Sequence, residues 1–143
     1  MMAALLAGAV RAEAQTGNWL TDYNAAVAQA QSSQKSVLLD FTGSDWCPWC
    51  IRMDREVLDA QAFQDYADKN LVLVMVDFPR RKQLPDDVAA QNAKLKEQFG
   101  IRGFPSFVLL DKDGKEIWRH VGYMQGGPEA FIAALGGTGQ TVQ

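Results

Sequence analysis

The sequence predicts an α/β fold, a central mixed β-sheet flanked by helices, and three observations predict it. Ser36-Val37-Leu38-Leu39-Asp40-Phe41 and Leu71-Val72-Leu73-Val74-Met75-Val76-Asp77 are too continuously apolar to be half-exposed strands, so they read as central strands covered on both faces. Helical patterns precede, separate and follow them. The turn Asp111-Lys112-Asp113-Gly114-Lys115 joins Phe107–Leu110 to Glu116–Val121 as an antiparallel hairpin, which makes the sheet mixed.

The chain has 143 residues, which implies one domain with enough length to bury a core. Its formal net charge of −3 argues against a nucleic-acid partner. Met1 to Val10 is an apolar or small-residue run, followed by Arg11 and Ala12-Glu13-Ala14-Gln15. This pattern reads as a secretory signal over 1–14 with cleavage after Ala14, leaving 15–143 as the mature domain. The run is too short to span a bilayer, so no membrane insertion of the mature chain is expected. An N-terminal helix is the alternative. With the signal, the protein works in a bacterial periplasm or outside the cell, where disulfides persist.

Thr16 to Gln34 is predicted as a first helix, capped by Thr16 or Asn18, with Trp19, Leu20, Tyr23, Ala26, Val27 and Ala30 along the side that covers the sheet. The strand Ser36 to Phe41 follows, then a loop over Thr42-Gly43-Ser44-Asp45. A helix is predicted from Pro48 through Leu58, and Asp59 is a candidate cap for a second helical piece containing Phe63 and Tyr66. After the second central strand, Pro79 and Pro85 bracket Arg80-Arg81-Lys82 in a loop. That basic triplet reads as a solvated loop, with docking of an acidic partner as the alternative. Asp86 or Asp87 starts a helix that ends at Gly100. Gly126-Gly127-Pro128 precedes a closing helix through Leu135, and 136–143 reads as a loose tail.

The chemistry sits in Trp46-Cys47-Pro48-Trp49-Cys50, which holds both cysteines of the chain. A disulfide between Cys47 and Cys50 closes almost no loop, so it removes little entropy from the unfolded chain and is poorly explained as a staple. Reactivity explains it better. At the start of a helix, Cys47 meets unpaired backbone N–H groups and the positive end of the dipole, which favour a thiolate. Pro48 suits the first helical position, where its missing N–H is no loss. Strand, short loop, Cys-x-x-Cys and helix is the context a thiol redox motif requires.

A second stretch, Phe99-Gly100-Ile101-Arg102-Gly103-Phe104-Pro105-Ser106 before Phe107–Leu110, resembles the segment in which thioredoxins hold a cis-proline opposite the disulfide. Together the two motifs resemble the thioredoxin superfamily over roughly Asn18 to Leu135, and the order of elements is that of the thioredoxin-like sandwich. The resemblance implies that Cys47 is the nucleophile and Cys50 the resolving thiol. It also implies that Asp40, an acid inside an apolar strand, has a pKa raised by burial and accepts the Cys50 proton. By the same resemblance the Phe104–Pro105 bond is cis, the Phe104 backbone is free to pair with an extended peptide, and Gly122 belongs to a third substrate-facing loop. Trp46, Trp49, Phe104 and Tyr123 are then candidates for an apolar rim, with core packing as the alternative; Trp49, inside the motif, is expected to be exposed.

The expected activity is thiol–disulfide exchange on protein or peptide thiols and disulfides, with electrons from a separate donor. Two cysteines and the single His120 fall short of the four ligands of a structural zinc site, so neither metal nor other cofactor is expected, and His120 reads as a packed or surface residue. Pro48-Trp49 replaces the Gly-Pro common in thioredoxins, and the His that strong oxidants of the family tend to carry is absent. A helix dipole contributes at most about 2 kcal/mol, which predicts a reducing or isomerising protein rather than a strong oxidant. The rival is a monomeric binding module that uses the same groove without redox turnover. A peroxidase would need a threonine-rich cysteine motif that the sequence lacks. A monomer is expected in either case.

Overall fold

The computed structural model describes residues 18–136; the 1–14 signal and the loose-tail expectation beyond Gly136 lie outside them. The elements are β1 (Trp19–Leu20), α1 (Tyr23–Ser33), β2 (Ser36–Thr42), α2 (Pro48–Met53) running into a π-helical turn (Asp54–Leu58), α3 (Gln61–Asn70), β3 (Leu71–Asp77), α4 (Asp86–Gln98), β4 (Ser106–Leu110), β5 (Glu116–Val121) and α5 (Gly127–Ala134). The five strands lie in the order β1-β3-β2-β4-β5. β1 and β2 run parallel to β3, and β4 is antiparallel to both β2 and β5, so the sheet is mixed as expected.

Strand alternation divides the core in two. Val37, Leu39 and Phe41 of β2 pack with Val72, Val74 and Val76 of β3 against Ala26, Ala30 and Leu95, on the side of α1 and α4. Leu38 points the other way, into a cluster with Met53, Val57, Phe63, Phe107 and Phe131 on the side of α2, α3 and α5. Asp40 has the parity of Leu38. Its strand partners are Met75 on β3 and Phe107 on β4, so it stands in the middle of the sheet, facing the α2 side.

Two local expectations are corrected. The first helix begins at Tyr23, not near Thr16, because the Asp22 carboxylate accepts the Ala25 N–H at 3.1 Å and caps it there. Trp19 and Leu20 instead pair with Leu73 and Val74, covering the edge of β3 that would otherwise be open. Asp59 does not cap α3: Ala60 holds the N-cap position, while the Asp59 N–H closes the π turn on Asp54 O at 2.8 Å. The turn interrupts the continuous helix expected through Leu58.

At the end of α4, Gly100 (φ +63°) takes the left-handed conformation, its N–H bonds to Glu97 O and that of Ile101 to Lys96 O, a Schellman closure. The closure turns the chain sharply into 101–105 and so delivers Phe104 and Pro105 to the tip of α2. The hairpin forms as expected, with the Asp111 carboxylate accepting from the N–H groups of Asp113 and Lys115 at 2.9 Å.

Candidate active site

The site is built at the carboxyl ends of β2 and β3. Cys47 is the N-cap of α2 with extended backbone (φ −87°, ψ 110°), and Pro48 occupies the first turn, where a missing N–H is harmless. Cys47 Sγ accepts the Cys50 N–H at 3.3 Å, which satisfies one of the orphan donors of the helix. On its other side the thiol points to Phe104 O at 3.9 Å, and the Phe104–Pro105 peptide is cis. The two motifs, 57 residues apart from Cys47 to Phe104, therefore meet at one sulfur. The cysteines are unbonded and both are buried, Cys47 to 4% and Cys50 to 1% exposure.

Beneath α2 the chemistry changes from apolar to acidic. Burial pushes the Cys50 thiol up to about 12, aided by its hydrogen bond with Cys47 and opposed by the Gly43 backbone and the nearby Thr42 hydroxyl. Thr42 Oγ makes no hydrogen bond of normal geometry in this state. Neither oxygen of Asp40 has a hydrogen-bond partner, and the residue is 1% exposed. Burial, then the charges of Asp54 and Asp77, hold the Asp40 carboxyl well above the usual carboxylate range. Asp54, where the π turn begins, is raised to about 7 by burial and by Asp59 and Asp77. Asp77 is itself buried at the end of β3 but satisfied, accepting from Ser44 N at 3.0 Å and Ser44 Oγ at 2.6 Å and lying 3.7 Å from Lys82 Nζ.

The two tryptophans of the motif are treated differently. Trp46 is half-buried, donates from Nε1 to Phe78 O at 2.8 Å and meets the Phe104 ring edge-on at 5.9 Å. Its indole lies so close over Gly43 that a Cβ there would come within 2.4 Å of the ring. Trp49 is 53% exposed and packs beside Tyr123 at 5.6 Å. The Arg52 guanidinium sits 4.6 Å over Tyr123 and is paired with Glu56, which also accepts the Tyr123 hydroxyl. Gly122 (φ +95°) donates its N–H to Pro105 O at 2.7 Å, which ties the third loop to the proline segment. Trp49, Phe104, Gly122 and Tyr123 line one groove of about 450 Å³.

The basic triplet is an exposed loop, as the sequence predicts, but its backbone is anchored. Asp45 accepts the N–H groups of Arg80 and Arg81 at 2.9 and 2.8 Å, and the Arg80 guanidinium stacks 3.6 Å over Trp46. The segment is therefore strapped to the loop that carries Cys47. His120 lies on β5, stacked on Trp118 and in register with Phe107, the β4 partner of Asp40, and its Nε2 is buried without a hydrogen-bond partner among the described residues. Among the described residues no group of three or more His, Cys, Asp or Glu could hold a metal ion. The sequence reading missed Thr42, Asp54, Asp77 and the Arg80 strap. Only Asp54 left a signal, since it follows Cys50 by four residues and so shares its helix face.

Comparison with known proteins agrees with this geometry. Residues 23–137 match the family described as thioredoxin-like domain. The disulfide bond reductase DsbH of Chlamydia pneumoniae is 37% identical over 113 residues, which are 79% of this chain and 68% of that protein. A solved DsbH oxidoreductase superposes with a TM-score of 0.79 at 34% identity, covering 85% of this chain and 83% of the other. A thioredoxin from Thermus thermophilus, at 21% identity, shares the fold with a TM-score of 0.64 over 86% of this chain and 87% of its own. The chain belongs to the thioredoxin-like domain family.

Proposed function

We propose that this thiol–disulfide oxidoreductase works in the reducing or isomerising direction on disulfides of exported proteins, through Cys47 and Cys50. The observation that carries the reading is the asymmetry of the two sulfurs: Cys47 is held by the Cys50 N–H at the helix start, whereas burial pushes the Cys50 thiol up to about 12. A thiol stabilised as thiolate attacks; a thiol that keeps its proton waits.

The Cys47 thiolate attacks one sulfur of a substrate disulfide and forms a mixed disulfide, and the other substrate sulfur leaves as a thiolate that takes a proton from water. Cys50 then passes its proton to Asp40 and attacks Cys47 Sγ. The second substrate thiol departs, the protein is left with a Cys47–Cys50 disulfide, and two electrons have passed to the substrate. A dithiol donor restores the pair. A carboxylate whose proton affinity is raised is the better acceptor for so weak a thiol acid. Trp46, Trp49, Phe104, Pro105 and Gly122 form the surface over which an extended substrate strand lies, with the Phe104 backbone available to it.

The reducing direction is supported by the name of the 37%-identical relative, a disulfide bond reductase. Export is supported by the apolar run before Ala14, and none of the described helices is long and apolar enough to cross a membrane. The mature chain, 15–143, acts as a monomer. The binding-module reading is not favoured, because disulfide exchange recurs in the names of the relatives.

Two measurements test this. The protein should accelerate reduction of insulin by dithiothreitol; no acceleration would leave only a binding role. Its equilibrium reduction potential should lie near thioredoxin's, about −270 mV, and a value near −120 mV would reverse the direction.

A further inference from the structure

Arg80, Arg81 and Arg102 are exposed, and none of them makes an ion pair among the described residues. Asp45 accepts the backbone N–H groups of the first two and keeps its own negative charge, which offsets part of the positive charge of the strap. The guanidinium groups themselves are left without an ion-pair partner, and the three arginines outnumber that one acid. Arg80 and Arg102 adjoin residues that surround the attacking sulfur, and Arg81 follows Arg80 in the same strap. Arg80 lies 3.6 Å over Trp46, the neighbour of Cys47; Trp46 packs on Phe104, whose carbonyl faces Cys47 Sγ; and Arg102 stands two residues before Phe104. Arg102 also shares a groove of about 560 Å³ with Phe78, whose ring packs 5.3 Å from Phe104.

Arg52, on the opposite side of the site, differs: Glu56 pairs with it at 3.0 Å. The side that carries Arg80, Arg81 and Arg102 thus holds three cations without an ion-pair partner among the described residues. Arg55, exposed and likewise unpaired in the π turn beyond α2, is a fourth farther along that helix. The whole chain carries −3, with 17 acidic and 14 basic residues, so an acidic partner is repelled by the average surface and attracted at this ledge. Such a field orients as well as attracts.

We propose that the ledge formed by Arg80, Arg81 and Arg102 receives acidic residues flanking the substrate disulfide, so that the preferred substrates are protein segments with Asp or Glu beside the cystine. This rests on the oxidoreductase reading and adds the substrate class. The charges attract the segment during encounter, Trp46 and Phe104 supply the apolar floor, and the cystine sulfur arrives next to Cys47. Arg80 has a second role, since its stacking holds Trp46 in place.

The test uses the full mature protein, pre-reduced, and three peptides with the same intramolecular disulfide, flanked by glutamates, serines or lysines. Single-turnover rates are followed by tryptophan fluorescence. At low ionic strength the glutamate peptide should react at least about tenfold faster than the lysine peptide, and the ratio should fall toward one in about 0.5 M salt. In Arg81→Glu/Arg102→Glu, which leaves the Arg80 stack in place, the ratio should invert. Arg81→Lys/Arg102→Lys should keep it, and thermal melts of both variants separate a charge effect from misfolding. A ratio near one in the unaltered protein, with all peptides reduced, overturns the ledge and leaves the oxidoreductase reading intact. A high ratio that the charge reversal does not change overturns the assignment to these arginines. Failure to reduce any of the peptides overturns the oxidoreductase reading, and this proposal with it.

Discussion

Strand β2 presents Val37, Leu39 and Phe41 to α1 and α4, and Leu38, Asp40 and Thr42 to α2, and every one of these residues is buried. The faces differ in polarity, not in burial. The first is apolar from end to end and meets other apolar side chains. The second turns polar along its length, until at Asp40 and Thr42 it holds two side chains whose oxygens lack partners. A buried polar group left unpaired costs roughly 1–3 kcal/mol, and an ionised one more. One face of the strand thus stabilises the fold. The other gives up stability where α2 sets down its thiols, and a poised acid can exist only because the first face holds the strand in place.

The contrast breaks most visibly at Phe41. Phe41→Ala should lower unfolding free energy by about 3–5 kcal/mol in urea titration, since a fully buried ring is replaced by a cavity. The Cys47/Cys50 potential of the molecules that remain folded should be unchanged. A loss below about 1 kcal/mol would show that this face is not the stabilising one.

Asp40→Asn probes the opposite face and should have the opposite sign on stability. The folded-state pKa of Asp40 is raised above its ordinary 3.8, so between that value and the folded pKa the unfolded chain has released a proton that the native state still holds. Native stability therefore falls as pH rises through this window, and is undiminished below it. The amide cannot ionise, so the variant should melt higher than the parent at pH 7, with the advantage gone below about pH 4. Resolution of the mixed disulfide should meanwhile slow by about 100-fold at neutral pH, measured by quenching a single turnover. An unchanged rate would remove Asp40 from the mechanism.

Asp54→Asn sharpens the same point with a smaller effect. Its pKa of about 7 sets a window from about pH 4 to 7 in which the wild-type native state gains a destabilising charge, so the variant should gain stability as pH rises across it. Because the Asp54 charge also raises Asp40, its removal should shift the lower limb of the rate–pH profile downward. A limb that does not move would separate Asp54 from Asp40.

Which parts of this arrangement could be read from the chain depends on whether a feature has its own periodicity. The central strands, the Cys-x-x-Cys helix start and the Asp111 turn are encoded by contiguous residues, and each stands where the sequence predicts. Trp19 and Leu20 were legible only as apolar residues near several possible caps; their pairing with Leu73 and Val74, more than 50 residues away, makes them a strand. The π turn depends on how Met53, Val57 and Leu58 reach the core, which no local spacing reveals. Arg80-Arg81-Lys82 has the composition of a solvated loop. Its role comes from Asp45 and Trp46 more than 30 residues before it, and their backbone and ring contacts have no compositional trace. Asp40 was legible because a carboxylate interrupts an apolar run, whereas Asp77 closes its strand and looks like an ordinary turn acid.

The smallest expected effect is also the most discriminating between the two tryptophans. Trp49 is 53% exposed and makes none of the hydrogen bonds that hold Trp46, so Trp49→Ala should change unfolding free energy by no more than about 0.5 kcal/mol. Its exposed indole lines the groove with Phe104 and Tyr123, so loss of binding surface should raise KM for a disulfide peptide several-fold with kcat nearly constant. The same change at Trp46 removes the support of Arg80, leaves Phe78 O without its donor and strips the contact with Phe104, so it should lower stability and kcat together. If Trp49→Ala instead lowered kcat at constant KM, the exposed indole would act on the reacting sulfurs rather than on the bound chain.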